Sequence, residues 1–362
     1  MRVAVRESGR YPIRGLRPPM EVSMNGVERF LRVLRQEPVD RPPVVGVTSV
    51  VTVEMMRRIG TRWPDAHHDP DLMVRAGAAA HETCGLESVK VPFDMGVEAG
   101  ALGADIDYGG EATLPKILAP RFASPDEFVV GDDFPSRGRV PVVLEAIRIA
   151  RQRYGDRVPV IASVLGPFTI TGCLFGVETL LIWLIEEPET VHAAMKTATR
   201  LAALYIREQF RAGAHVVQVG EPTASGDLIS PAQYAEYVAP YHRELSQGTD
   251  LPLITHICGN ITRQLPHLAA SGFWGVSFDA KTDIQAARTH LKGKKALIGY
   301  VPTGLLLDGS AGEVRAAAAQ CLREGVDALN AGCAVPPESP LDNVMAMIAA
   351  ARAGSPEVGS GG

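Results

Sequence analysis

Residues 251–300 read LPLITHICGNITRQLPHLAASGFWGVSFDAKTDIQAARTHLKGKKALIGY. Three short apolar runs, Leu253 to His256, Gly275 to Phe278 and Ala296 to Tyr300, alternate with two helix-length stretches, Ile261 to Ser271 and Ile284 to Leu291. Short apolar runs punctuated by Gly, Pro and Asn suit buried strands, and strands alternating with helices imply a parallel sheet with helical crossovers. The unit continues on both sides. Helix Pro231 to Ser246 leads in, and helix Gly312 to Gly325, strand Val326 to Leu329 and helix Leu341 to Arg352 lead out.

The same pattern extends back toward the N-terminus. Strands are expected at Pro43 to Val47, Ser88 to Pro92, Val158 to Val164 and His215 to Val219. Helices are expected at Met24 to Arg35, Thr52 to Ile59, Pro70 to Thr83, Val140 to Tyr154, Glu178 to Ile185 and Pro188 to Ala212. Residues 101–136, rich in Gly and Pro, predict hairpin or loop insertions over one face. About eight such units favour a closed (β/α)8 TIM barrel. An open Rossmann-like sheet is the alternative, but no Gly-x-Gly-x-x-Gly follows the first strand. The expected organisation is a flexible N-terminal arm over 1–22, one barrel over 23–353 and a disordered tail over 354–362. An arm ordered against a partner subunit makes a homo-oligomer part of this expectation.

Composition narrows the function classes. A hydrophobic share of 46% and a charged share of 21% match an ordinary globular protein rather than a disordered chain. The net charge of −5 and the lack of a basic stripe argue against a nucleic-acid partner. Apolar stretches such as Val158 to Leu165 are too short to cross a membrane, and the opening residues Met1 to Glu7 lack a signal-peptide core. A cytoplasmic location is the expectation. The five cysteines, an odd number, argue against a disulfide framework and for reduced thiols. Cys84 falls at a helix end and Cys321 within a helix, both as small core residues.

His256-Ile257-Cys258 ends the Leu253 run, and Cys333 follows the Val326 run. Residues i and i+2 of a strand point to one side, so His256 and Cys258 face a common point. One imidazole and two thiolates suit a zinc ion that keeps its fourth position open. A lone His-x-Cys often means only a packed imidazole and a buried thiol. The fold adds weight, because barrel enzymes carry their chemistry on the loops after the strands, and both elements end there. Glu221, Gly166-Pro167-Phe168-Thr169 and Asp279 belong to the same rim. Asp94 and Glu98 could line the mouth, with solvated loop acids the favoured reading, and Asp279 is read as an exposed acid, with orientation of His256 its alternative role. His67-His68 is read as surface structure, His215 as a satisfied polar residue and Cys173 as a buried thiol.

These residues carry a family likeness. The chain resembles the uroporphyrinogen decarboxylase superfamily, and within it the methylcobamide:coenzyme M methyltransferase branch. The likeness spans roughly Met24 to Arg352. It rests on Glu37 to Pro43, Trp63 to His67, Arg137 to Ile147, Gly166 to Thr169, Ala224-Ser225 with Ser230-Pro231, His256 to Asn260, and Gly332-Cys333. It implies a barrel of that type, with His256, Cys258 and Cys333 as zinc ligands. The implied activity is methyl transfer from methylcobalamin or a methylated corrinoid protein to a zinc-activated thiol such as coenzyme M. With no cobalamin motif in the chain, the corrinoid is expected to arrive on a partner protein or free.

Two positions depart from the branch: Glu221 stands where aspartate is usual, and Tyr300 where asparagine is common. Glu221 is therefore a candidate catalytic or metal-supporting group, or a rim carboxylate bonded to backbone. Tyr300 is a candidate for closing the thiol pocket. Porphyrinogen decarboxylation is the less favoured activity. The decarboxylases resemble a pattern with an arginine-rich segment after the first strand, and Val45 to Val51 holds no arginine to grip substrate carboxylates. Three further alternatives stand: a different thiol such as homocysteine, corrinoid-dependent demethylation of a small methyl donor, and a non-catalytic zinc-binding homologue.

Overall fold

The computed structural model describes residues 24–247 and 249–353. The sequence-predicted arm and tail lie outside the described residues. Seven parallel strands form one curled sheet: β1 (Val89–Lys90), β4 (Val160–Leu165), β5 (Val216–Gly220), β6 (Leu253–Ile257), β7 (Gly275–Phe278), β8 (Ala296–Val301) and β9 (Ala328–Ala331), in that spatial order. β2 (Ile106–Asp107) and β3 (Lys116–Ile117) make a small antiparallel hairpin in the irregular region, as expected. Residues 43–47 close the ring. Val44 bridges Leu329 of β9 in parallel, and Glu87 N donates to the Val44 carbonyl at 2.9 Å on the β1 side.

The first stave is thinner than the sequence predicts, because side chains take the place of ladder partners. Gly46 N donates to Ser88 Oγ at 2.8 Å, and Val47 N donates to Asn330 Oδ1 at 3.2 Å. The helix expected over 261–271 shortens to Leu265–Ala269 for a similar reason. Thr282 Oγ1 captures Ile261 N and Asn260 Oδ1 captures Thr262 N, holding the segment as a loop. The last strand begins at Ala328, two residues later than expected. Helices at Val97–Ala101, Pro167–Phe175 and Thr303–Asp308 were not anticipated, and the helix from Pro231 contains a π-helical turn over Tyr234–Val238.

The inward faces of the staves change character along the barrel axis. At the lower level Val45, Ile161, Val216, Ile254, Ile298 and Ala328 pack together, plugged from below by Phe30, Val33 and Leu34 of the helix Gly26–Leu34. Two residues further along the same faces stand Ser163, Gln218 and His256. Because side chains alternate with period two, a stave apolar at i and polar at i+2 seals its base and opens a polar chamber above. The outer faces bury the main core against the helices. No single described helix is long and apolar enough to cross a membrane.

Candidate metal centre and active-site cavity

β6 ends by delivering His256 and Cys258 to one side, as period two requires, with Nε2 of His256 3.2 Å from Cys258 Sγ. Cys333 arrives on the loop after β9, and its sulfur lies 3.0 Å from that of Cys258. One imidazole nitrogen and both sulfurs all fall within 4.8 Å of one another. Gly259 turns the chain away directly after Cys258 at φ +74°. A Cβ there would meet Asp227 and Ser225 oxygens at 2.4 Å, so glycine is required on two counts. The Cys333 loop is held from both sides, by Gly332 N donating to Val301 O at 2.8 Å and Thr48 Oγ1 donating to Cys333 O at 2.9 Å.

The charge distribution suits a cation. The S–H of Cys258 beside Cys333 holds the Cys333 thiol below its ordinary range against the effect of burial, with His256 assisting. The same contact and burial drive the Cys258 thiol upward. The donor set itself selects the metal class. Thiolate and imidazole favour zinc-like ions, whereas calcium and magnesium take oxygen ligands. Ser277, on the neighbouring strand, faces His256 Nδ1 at 3.0 Å. Asp279, the alternative orienting group, instead accepts from Lys281 N at 3.1 Å.

The cluster opens on a cavity of about 220 Å³ whose lining includes Ser49, Lys90, Asp94, Glu98, Ser163 and Gln218. The favoured reading of Asp94 and Glu98 as solvated acids is overturned, and the alternative, that they line the mouth, holds. Glu98 is 3% exposed and its Oε1 accepts from Leu165 N at 2.7 Å. The Asp94 side chain is fully buried and paired with Arg139 Nη2 at 2.7 Å, and His67 together with Arg139 holds its carboxyl well below the usual range against burial. His67 is also corrected from surface to core, since it is 0% exposed and stacked on Trp63 at 5.7 Å. His68 does face solvent. Lys90, Ser163 and Gln218 were missed at the sequence level. The available signal was a polar residue at the inward parity of an otherwise apolar strand.

Glu221 and Tyr300 lie outside the lining of this cavity. Glu221 is fully buried behind it, where its oxygens accept from Phe168 N at 3.1 Å and Thr169 N at 2.8 Å at the start of the helix Pro167–Phe175. His242 Nε2 sits 3.1 Å from the same carboxylate, and Tyr234 OH is 3.0 Å from His242 Nδ1. A Cβ on Gly166 would meet the Glu221 carboxylate at 2.3 Å, which explains glycine there. Tyr300 packs against Phe278 and lines a separate polar cavity of about 990 Å³ with Asn260, Asp227 and Lys281.

A barrel with a two-sulfur, one-nitrogen cluster at the carboxyl ends of its strands defines an α/β-barrel enzyme with a candidate metal centre. The uroporphyrinogen decarboxylase (URO-D) family model matches residues 25–354, and the chain belongs to that family. It is 34% identical over 325 residues, 89% of this chain and 96% of the relative, to the methylcobamide:CoM methyltransferase MtaA of Methanosarcina barkeri. It is 32% identical over 334 residues, 92% of this chain and 90% of the relative, to a methylated-thiol–coenzyme M methyltransferase of Methanosarcina mazei. The solved structure of a methyltransferase from Methanosarcina mazei superposes with a TM-score of 0.88 at 33% identity, covering 91% of this chain and 99% of that one. Within the family the chain falls with the methyltransferase branch, and it is a methyltransferase.

Proposed function

We propose that the protein transfers a methyl group from a methylated corrinoid to a small thiol such as coenzyme M, with a zinc ion held by His256, Cys258 and Cys333. The observation that carries this reading is the convergence of those three donors within 4.8 Å beside a cavity of small-molecule size. When bound there, zinc withdraws charge from a substrate thiol and favours its thiolate near neutral pH. With a methylated corrinoid as co-substrate, the thiol would give its proton to solvent, its sulfur would take the methyl carbon, and the electron pair of the broken Co–C bond would leave with the corrinoid as Co(I).

The residues of the chain support this division of labour. His256 and the two cysteines hold the ion, and Ser277 orients the imidazole. Glu221 acts as a positioning residue that ties the helix Pro167–Phe175 to the β5 loop, and its oxygens are already engaged. That favours an open fourth position over a closed four-ligand structural site. Lys90 is the one cation in the cavity lining among the described residues. A substrate with many carboxylates, such as a porphyrinogen, would lack partners there. Reduced thiols in the cluster fit a reducing compartment such as the cytoplasm.

The test is metal analysis joined to a methyl-transfer assay. Purified protein should hold about one zinc per chain, convert methylcobalamin to cob(I)alamin only when a thiol is supplied, and show a new sulfur in the zinc shell by X-ray absorption. Zinc-free wild-type protein with full activity would overturn the reading.

A further inference from the structure

We propose that the cavity wall facing the His256–Cys258–Cys333 cluster is a head-group subsite for a zwitterionic ligand, a small thiol carrying both a carboxylate and an ammonium group. The inference rests on the thiol-methyltransferase reading and deepens it by naming the substrate class. Lys90 of β1 is buried at 9% exposure. Its Nζ donates to Pro92 O at 2.7 Å and to Ser163 Oγ at 3.0 Å. An ammonium has three donors, so one is left for a ligand, and neither existing bond supplies a countercharge. Glu98, on the helix Val97–Ala101, lines the same cavity and is bonded through Oε1 to the Leu165 backbone N–H alone among the described residues. Ser49 adds a buried hydroxyl with no partner to the lining.

Lys90 and Glu98 are buried in one small cavity with no direct ion pair between them or to another group among the described residues, and such groups are costly unless a ligand completes them. Both groups register that cost, since burial lowers Lys90 to about 8 even with the carboxylates of Asp94 and Glu98 near enough to raise it, and burial raises Glu98 to about 7. The other acid of this wall, Asp94, is already paired with Arg139. An anionic ligand would satisfy Lys90 and leave Glu98, and a cationic one would do the reverse. A zwitterion satisfies both. The volume of about 220 Å³ falls below the roughly 300–1,000 Å³ of drug-sized sites, which suits a compact amino acid. Lys90 and Ser163 stand on β1 and β4, whereas the cluster stands on β6 and the loop after β9, so head and sulfur would span the mouth.

The experiment is isothermal titration of the zinc-loaded full chain with five probes. Homocysteine carries both charges, coenzyme M only the anion, cysteamine only the cation and 2-mercaptoethanol neither, while 2-aminobutyrate has the head group without the thiol. Homocysteine should bind on the order of tenfold tighter than either singly charged thiol, the size expected for an added charged hydrogen bond. Lys90→Met should abolish the preference for coenzyme M over 2-mercaptoethanol, and Glu98→Gln the preference for cysteamine. Zinc content and thermal melting check the fold of each variant. Ser163→Ala, a milder change beside Lys90, should weaken the anionic probes in the same order. Equal binding of all four thiols overturns the subsite and leaves the thiol reading standing. Coenzyme M binding tighter than homocysteine, with Glu98→Gln silent, also overturns the zwitterionic assignment. If 2-aminobutyrate binds in a Lys90-dependent way and no thiol binds better, the subsite stands and the thiol reading falls.

Discussion

Ser277 and His256 are direct partners across β7 and β6, paired in register, and the hydroxyl of one lies 3.0 Å from Nδ1 of the other. When Nδ1–H donates to Ser277, Nε2 keeps its lone pair toward the two sulfurs, the tautomer a metal ligand needs, so the sheet register supplies the partner for that tautomer. Ser277→Ala should lower zinc affinity roughly 10–100-fold with the fold intact. Competition against a chromophoric chelator measures this, and unchanged affinity would remove Ser277 from the account.

Cys258 and Cys333 approach from different staves, so each should be needed for the ion. Cys258→Ser and Cys333→Ser should each bring zinc from about one per chain to near zero on dialysis. Elemental analysis and methylcobalamin turnover should fall together. A single variant that retains zinc but loses turnover would instead place that sulfur in chemistry rather than in metal binding.

Glu221 should matter for stability more than for the chemical step. Glu221→Gln weakens charged hydrogen bonds to Phe168 N, Thr169 N and His242, at a cost of about 2 kcal/mol in urea denaturation. Zinc content should be unchanged. Normal stability with abolished methyl transfer would instead support the catalytic assignment of Glu221.

Arg139 donates to Asp94 Oδ1 at 2.7 Å and to His67 O at 3.0 Å in a buried setting. Arg139→Met leaves Asp94 buried without its cation and should destabilise the fold by about 3–5 kcal/mol. Replacing both, with Asp94→Asn added, should recover part of that loss. A single variant as stable as wild type would show that Asp94 finds another partner or a proton.

Burial raises Glu98 from 4.5 to about 7. The folded state therefore binds more protons than the unfolded one between those values, and the contribution of Glu98 to stability falls as pH rises through that window. Glu98→Gln removes the effect. Its stability relative to wild type should improve by roughly 3 kcal/mol between about pH 4.5 and 8, since each tenfold change in proton affinity is worth about 1.4 kcal/mol. Parallel stability curves for the two proteins would contradict a buried, unpaired Glu98.

Much of the fold was legible because its signals are local. The helices Val140–Tyr154, Pro188–Ala212 and Ile284–Leu291 and the strand Gly275–Phe278 fall at their expected bounds, where apolar spacing agrees with local start and stop signals such as an early Pro, a capping Asp283 or a terminal Gly. The departures come where distant side chains capture backbone groups, as Asn330 does for Val47 and Thr282 for Ile261. The apolar helix Pro167–Phe175 was missed because it is buried almost all round and shows little amphipathic contrast.

By itself the sequence determined the alternation of strand and helix, the closed barrel it implies, and the two-residue spacing that puts His256 and Cys258 on one side. Those follow from backbone periodicity, which each segment carries alone. Only the tertiary structure decided that Cys333 meets them across 75 residues, that Glu221 turns inward to a helix start, and that Lys90 and Glu98 share one cavity. Burial and partnership depend on which staves become neighbours when the sheet curls shut, and no local pattern encodes that.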